Sequence, residues 1–83
     1  MKALYFSWVR ERIGKNEEDI TPPDSIKTVG ELMTWLSHQG EGYAAAFENE
    51  KTIRAALDHT YVKPETALGQ AREIAFFPPM TGG

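Results

Sequence analysis

The sequence contains no cysteine, so a disulfide framework, a thiolate metal site and a cysteine nucleophile are all excluded. It also lacks any run of Lys or Arg. With a net charge of -3 and acidic clusters such as Glu17-Glu18-Asp19, the balance argues against nucleic acid as the main ligand and for a basic partner surface. No apolar stretch approaches the roughly 18 residues of a membrane helix. The opening Lys2 to Val9 lacks the small-residue cleavage site of a signal peptide, so the expected location is the cytoplasm, with no membrane association.

What is present is the composition of an ordinary folded domain, 41% hydrophobic and 25% charged over 83 residues. That length supports one small core and little room for a deep substrate cavity, so any chemistry is expected to be shared with a partner. Residues 2 to 9 alternate as a strand, with Leu4, Phe6 and Trp8 on one face and Ala3, Tyr5 and Ser7 on the other. A short helical turn from Val9 closes at Gly14. Glu17 to Thr21 then reads as a second strand before Pro22-Pro23.

From Thr28 the period becomes helical, because Val29, Leu32, Met33 and Leu36 fall at i, i+3, i+4 and i+7. Thr28 with Glu31 has capping-box spacing, and Gly40 is the expected stop. Residues 42 to 49 form a weaker helical candidate. Thr52 to Leu57, Tyr61-Val62 and Glu73 to Phe77 read as strands, with a turn at Lys63-Pro64-Glu65 and termination at Pro78-Pro79. The pattern predicts an α+β plan in which a mixed sheet packs one face on the helix, with first and last strands as neighbours.

Two histidines, His38 and His59, read as surface residues, and no metal site is expected. Consecutive carboxylates at Glu17, Glu18 and Asp19 read as a solvated face rather than an acid/base pair. The aromatics are more informative. Alternation forbids Phe76 and Phe77 from sharing a face, so one of them should lie outside the core and offer a partner surface.

The final stretch, Phe76 to Gly83, raises a separate expectation. Pro78 and Pro79 cannot extend a ladder and should lead the chain off the last strand, dividing it into a domain of residues 1–77 and a projecting tail of residues 78–83. From Met80 onward the tail reaches up to roughly 14 Å if extended. Gly82 and Gly83 carry no Cβ and fit a slot too narrow for other residues. The reactive group is then the carboxyl of Gly83, made electrophilic by joining it to AMP.

Together, the N-terminal strand with "VRERIG", the capped helix, "ALDHTYV" and the closing "AFFPPMTGG" resemble the small subunits of molybdopterin synthases, which are ubiquitin-like β-grasp sulfur carriers. The resemblance spans essentially the whole chain and is most specific at its end. It implies that a ubiquitin-activating-type enzyme uses ATP to adenylate Gly83, which becomes a thiocarboxylate and gives its sulfur to a cyclic pyranopterin precursor. No bound cofactor is implied. Met80, Thr81 and Gly82 would insert into a large subunit that supplies the catalytic side chains within a heterotetramer, and a sulfur donor protein would be a further partner. The family's apolar contact patch falls on Phe6, Tyr61 and Phe77, where Tyr61 replaces a more usual aliphatic. A carrier for thiamine synthesis or tRNA thiolation, a protein modifier joined through Gly83, and a plain β-grasp interaction domain remain open as alternatives at this point.

Overall fold

The structure is a computed structural model that describes residues 1–79; Met80, Thr81, Gly82 and Gly83, the tail-insertion and reactive positions of the sequence reading, lie outside the described residues. A five-stranded sheet is formed by β1 (Lys2–Tyr5), β2 (Glu17–Asp19), β3 (Arg54–Leu57), β4 (Thr60–Val62) and β5 (Glu73–Phe77), in the order β2-β1-β5-β3-β4. β1 and β5 are parallel neighbours at the centre, and every other pair is antiparallel. Helices α1 (Ser7–Ile13), α2 (Val29–Ser37) and α3 (Glu41–Ala46) accompany the sheet. This is a mixed-sheet α+β fold of the ubiquitin-like β-grasp type.

α2 begins where the sequence says it should. The Thr28 hydroxyl accepts from the Glu31 N–H at 3.1 Å, and Oε1 of Glu31 accepts from the Thr28 N–H at 3.1 Å, so two N–H groups at the helix start are satisfied reciprocally. Its apolar stripe of Val29, Leu32, Met33 and Leu36 is wholly buried. The sheet answers with Ala3, Tyr5, Ile74 and Phe76. Phe76 lies edge-on to Phe47, with ring centroids 5.1 Å apart, and is stacked at 6.3 Å with Tyr5.

Three expectations are corrected. The first strand stops at Tyr5 rather than continuing to Val9, because Ser7 takes φ 51° and turns the chain into α1. Trp8 therefore leaves the Leu4 and Phe6 face and packs against the core. Gly40 does not end α2. Ser37 Oγ at 2.6 Å and His38 Nδ1 at 2.8 Å both engage the Thr34 carbonyl, and Gln39 Nε2 donates to that of Trp35 at 3.1 Å, so side chains close the helix early and Gly40 instead precedes α3.

The third correction is Glu18. Because Glu18 pairs with Ala3, pleating turns it toward the helix side of the sheet while Glu17 and Asp19 stay exposed. Its Oε2 accepts from the Tyr5 hydroxyl at 2.8 Å and the Tyr43 hydroxyl at 2.6 Å, and its Oε1 accepts from Lys15 Nζ at 3.0 Å. It is a half-buried clasp joining β1, β2 and α3.

Candidate functional site

The sheet face away from α2 carries the residues of interest. In register across four strands stand Leu4 of β1, Ala75 of β5, Ala56 of β3 and Tyr61 of β4. The two alanines make a low floor, and the larger Leu4, Phe6, Tyr61 and Phe77 border it as a shallow apolar depression. Phe6 is 45% exposed and Tyr61 75%, the two large apolar residues most open to solvent among the described residues.

Each of these is placed by a simple local cause. The Phe6 N–H still donates to the Phe76 carbonyl at 3.1 Å, which extends the β1–β5 ladder by one residue, so Phe6 keeps the outward parity of Leu4 before the chain turns away. Tyr61 follows a two-residue hairpin in which Asp58 and His59 both have positive φ, at 46° and 73°. Such turns match the twist of paired strands. Asp58 reinforces the corner, since its Oδ1 accepts from the N–H groups of Arg72 and Glu73, both at 3.0 Å. Phe77 alternates with the fully buried Phe76, so one of the pair lies in the core and the other on the outer face.

The structure thus brings Phe6, Tyr61 and Phe77 to one depression, the last two with ring centroids 5.5 Å apart. Sequence reasoning missed its floor, Ala56 and Ala75. The available signal was alternation along β3 and β5, which sets small residues opposite the large ones. His59 approaches Glu73 at 3.7 Å on the depression's polar side.

Elsewhere the Glu18 cluster is structural. Burial works against the charged form of Glu18, yet hydrogen bonds from Tyr43, Tyr5 and Lys15 together outweigh it and hold the carboxyl below its ordinary range. Burial, and then the bond to Glu18, push the Tyr5 hydroxyl far up, and Tyr43 is raised for the same two reasons. Neither phenol ionises near neutral pH. Ser37 and His38 lie close, with Oγ and Nδ1 3.4 Å apart, but both are occupied by the Thr34 carbonyl and form no nucleophile and base pair. No helix among the described residues is long and apolar enough to cross a membrane.

The chain is similar to several known proteins. The ThiS family model matches residues 3–83. The molybdopterin synthase sulfur carrier subunits of Escherichia coli (strain K12) and Haemophilus influenzae are each 35% identical over 83 residues, covering 100% of this chain and 99% of their own. That of Caenorhabditis elegans is 33% identical over 85 residues and is covered over 96% of its length. Among solved structures, SAMP1 from Haloferax volcanii superposes with a TM-score of 0.72 at 23% identity, over 100% of this chain and 98% of that one. A protein described as molybdopterin converting factor, subunit 1, from Pyrococcus furiosus gives 0.67 at 22%, over 94% of both chains. These two likenesses concern the fold. With a family model spanning all but two residues and full-length relatives of one name in bacteria and eukaryotes, the chain belongs to the ThiS family, among the molybdopterin synthase sulfur carrier subunits.

Proposed function

We propose that this chain is the sulfur-carrying subunit of a molybdopterin synthase, working through the carboxyl group of Gly83 in molybdenum cofactor biosynthesis. The observation that carries the reading is spatial. β5 ends at Phe77, inside the aromatic depression, and Pro78-Pro79 follow directly, so a partner seated on Phe6, Tyr61 and Phe77 stands where the chain leaves the sheet. Docking and delivery are then coupled by position.

In the proposed sequence the Gly83 carboxylate attacks the α-phosphate of ATP on a ubiquitin-activating-type enzyme, forming the acyl adenylate and releasing pyrophosphate. Sulfide, supplied by a sulfur donor protein, attacks the acyl carbon and expels AMP, leaving a thiocarboxylate. In the large subunit the thiocarboxylate sulfur attacks a carbon of the pyranopterin precursor and displaces the oxygen substituent held there, forming a thioester, and water then cleaves the acyl–sulfur bond to leave the thiol on the precursor and the carboxylate on Gly83. The chain contributes the acyl group and the docking face, while the large subunit contributes the catalytic side chains within a heterotetramer.

Intact-mass measurement tests this. Incubation with the adenylating enzyme, ATP and sulfide should exchange one oxygen for sulfur, and a chain lacking Gly83 should fold normally and gain nothing. Sulfur loading of that shortened chain, or full molybdopterin formation by a chain extended beyond Gly83 and left uncleaved, would overturn the reading.

A further inference from the structure

β4 is the last strand of the sheet, and between it and α2 runs a second groove on the side opposite the aromatic depression. Its floor is apolar, formed by Val29 and Met33 of α2, Ala55 of β3, Val62 of β4 and the neighbouring Ile53. Its rim is basic. Lys51, Arg54 and Lys63 border it, all three exposed, in a chain whose net charge is -3.

These cations are uncommitted. The ion pairs among the described residues are Lys2 with Glu17, Lys15 with Glu18 and His59 with Glu73, and none uses a rim residue. Arg54 donates to the backbone carbonyls of Lys51 at 2.9 Å and Ile53 at 3.3 Å, which fixes its guanidinium at the rim without neutralising it. Glu50, the carboxylate that lines the groove, accepts from the Thr34 hydroxyl at 3.0 Å. The groove also has an outlet. Arg54, Ala55 and Val62 continue into a depression shared with Tyr61, Phe77 and Pro79, so it opens beside the aromatic face and the start of the tail.

We propose that this groove receives an extended acidic segment of a partner protein, an apolar side chain resting on Val62 and Pro64 and carboxylates meeting Lys51, Arg54 and Lys63. Charge complementarity selects the occupant, since an anionic segment relieves three like charges that form no ion pair among the described residues. Nucleic acid fits less well. The floor has no aromatic ring for a base to stack on, and the chain's overall negative charge repels a phosphate backbone. The groove would hold such a segment more tightly when its protein already sits on the neighbouring aromatic face, because the second contact becomes intramolecular.

The test uses the full chain, isotope-labelled, titrated with a short acetylated peptide in which Glu alternates with Leu and Val. Amide shifts should cluster at Lys51 to Arg54 and Val62 to Lys63, together with the Val62 methyls, and should fade as salt is added. The double variant K51E/K63E should lose about tenfold in affinity, and K51Q/K63Q a smaller factor. Deleting Gly83 should leave the titration unchanged, which separates this surface from sulfur transfer. Shifts confined to Phe6, Tyr61 and Phe77, equal binding of a peptide with Lys in place of Glu, or unchanged affinity in both double variants would overturn the proposal. So would capture of the chain by phosphatidylserine vesicles with no response to the peptide.

Discussion

Tyr61 and Phe77 lean toward each other across β3, ring centroids 5.5 Å apart and planes inclined at 44°, above an alanine floor that leaves room for both. Ala56 beneath them is 6% exposed although it lies on the outer face. The rings shield the floor but remain open on their far sides, which is the state expected of a surface that gains by being covered.

Phe76 and Phe77 should therefore separate on truncation. Phe76 is fully buried between Tyr5 and Phe47, so Phe76→Ala should cost about 3–5 kcal/mol by leaving a cavity. Phe77→Ala removes a partly buried ring on the outer face and should cost less than half of that while weakening binding to the large subunit. Urea melts and titration with the isolated large subunit read the two effects. Equal destabilisation with unchanged affinity would show that the outer face is not the recognition surface.

A second prediction concerns acid. In the folded chain the Glu18 carboxyl titrates below its ordinary value of 4.5, so folding favours its charged form. Its contribution to stability is complete above that ordinary value and is lost as pH falls through the lower folded value. Glu18→Gln should cost about 1–2 kcal/mol at neutral pH and should flatten the loss of stability between neutral pH and about pH 3. Urea midpoints of both proteins across that range decide it. Parallel pH profiles would mean that Tyr5, Tyr43 and Lys15 hold Glu18 no better than water does.

The proposed chemistry gives a third. Gly82→Val sets a β-branched side chain next to the reacting residue, where a slot shaped for backbone alone admits none. Thermal midpoint should be unchanged, because the described core ends at Phe76. Sulfur loading and transfer should both fall, by roughly the hundredfold that follows when reacting groups are displaced by an ångström. Normal rates for both steps would remove the narrow-slot argument.

Much of this molecule was legible from pattern. The capping box at Thr28 and Glu31, the helical stripe from Val29 to Leu36 and the opposed environments of Phe76 and Phe77 each follow from one local rule. What escaped depended on groups distant in sequence or on backbone conformation. Nothing in the aromatic alternation around Phe6 marks Ser7 as the residue that takes positive φ, so alternation alone overruns the end of the strand. Glu18 looked like surface because its two tyrosine partners lie 13 and 25 residues away. Lys51, Arg54 and Lys63 form no run, and only the crossing of β3, β4 and α2 gathers them on one rim.

Two glycines give the last prediction, because they are required for different reasons. A Cβ placed on Gly42 of α3 would stand 2.5 Å from the Arg12 carbonyl oxygen and 3.3 Å from the Ile13 Cα, both backbone atoms of α1. No rotamer change can relieve that contact, so Gly42→Ala must push α3 away from α1, with strain of about 1–3 kcal/mol. The same movement stretches the bond from Arg12 Nη1 to the Ala45 carbonyl, now 3.1 Å, and disturbs the α1 that begins immediately after Phe6. Gly14 is the contrasting case. It caps α1 at φ 89° with its N–H on the Arg10 carbonyl at 2.7 Å, and a Cβ there meets nothing within 4 Å. Gly14→Ala should cost about 1 kcal/mol through backbone conformation alone. Urea melts should show both losses, but amide shifts spreading across α1, α3 and Phe6 should appear only for Gly42→Ala. If the Gly42 variant keeps wild-type stability and shifts, α1 and α3 are not in backbone contact.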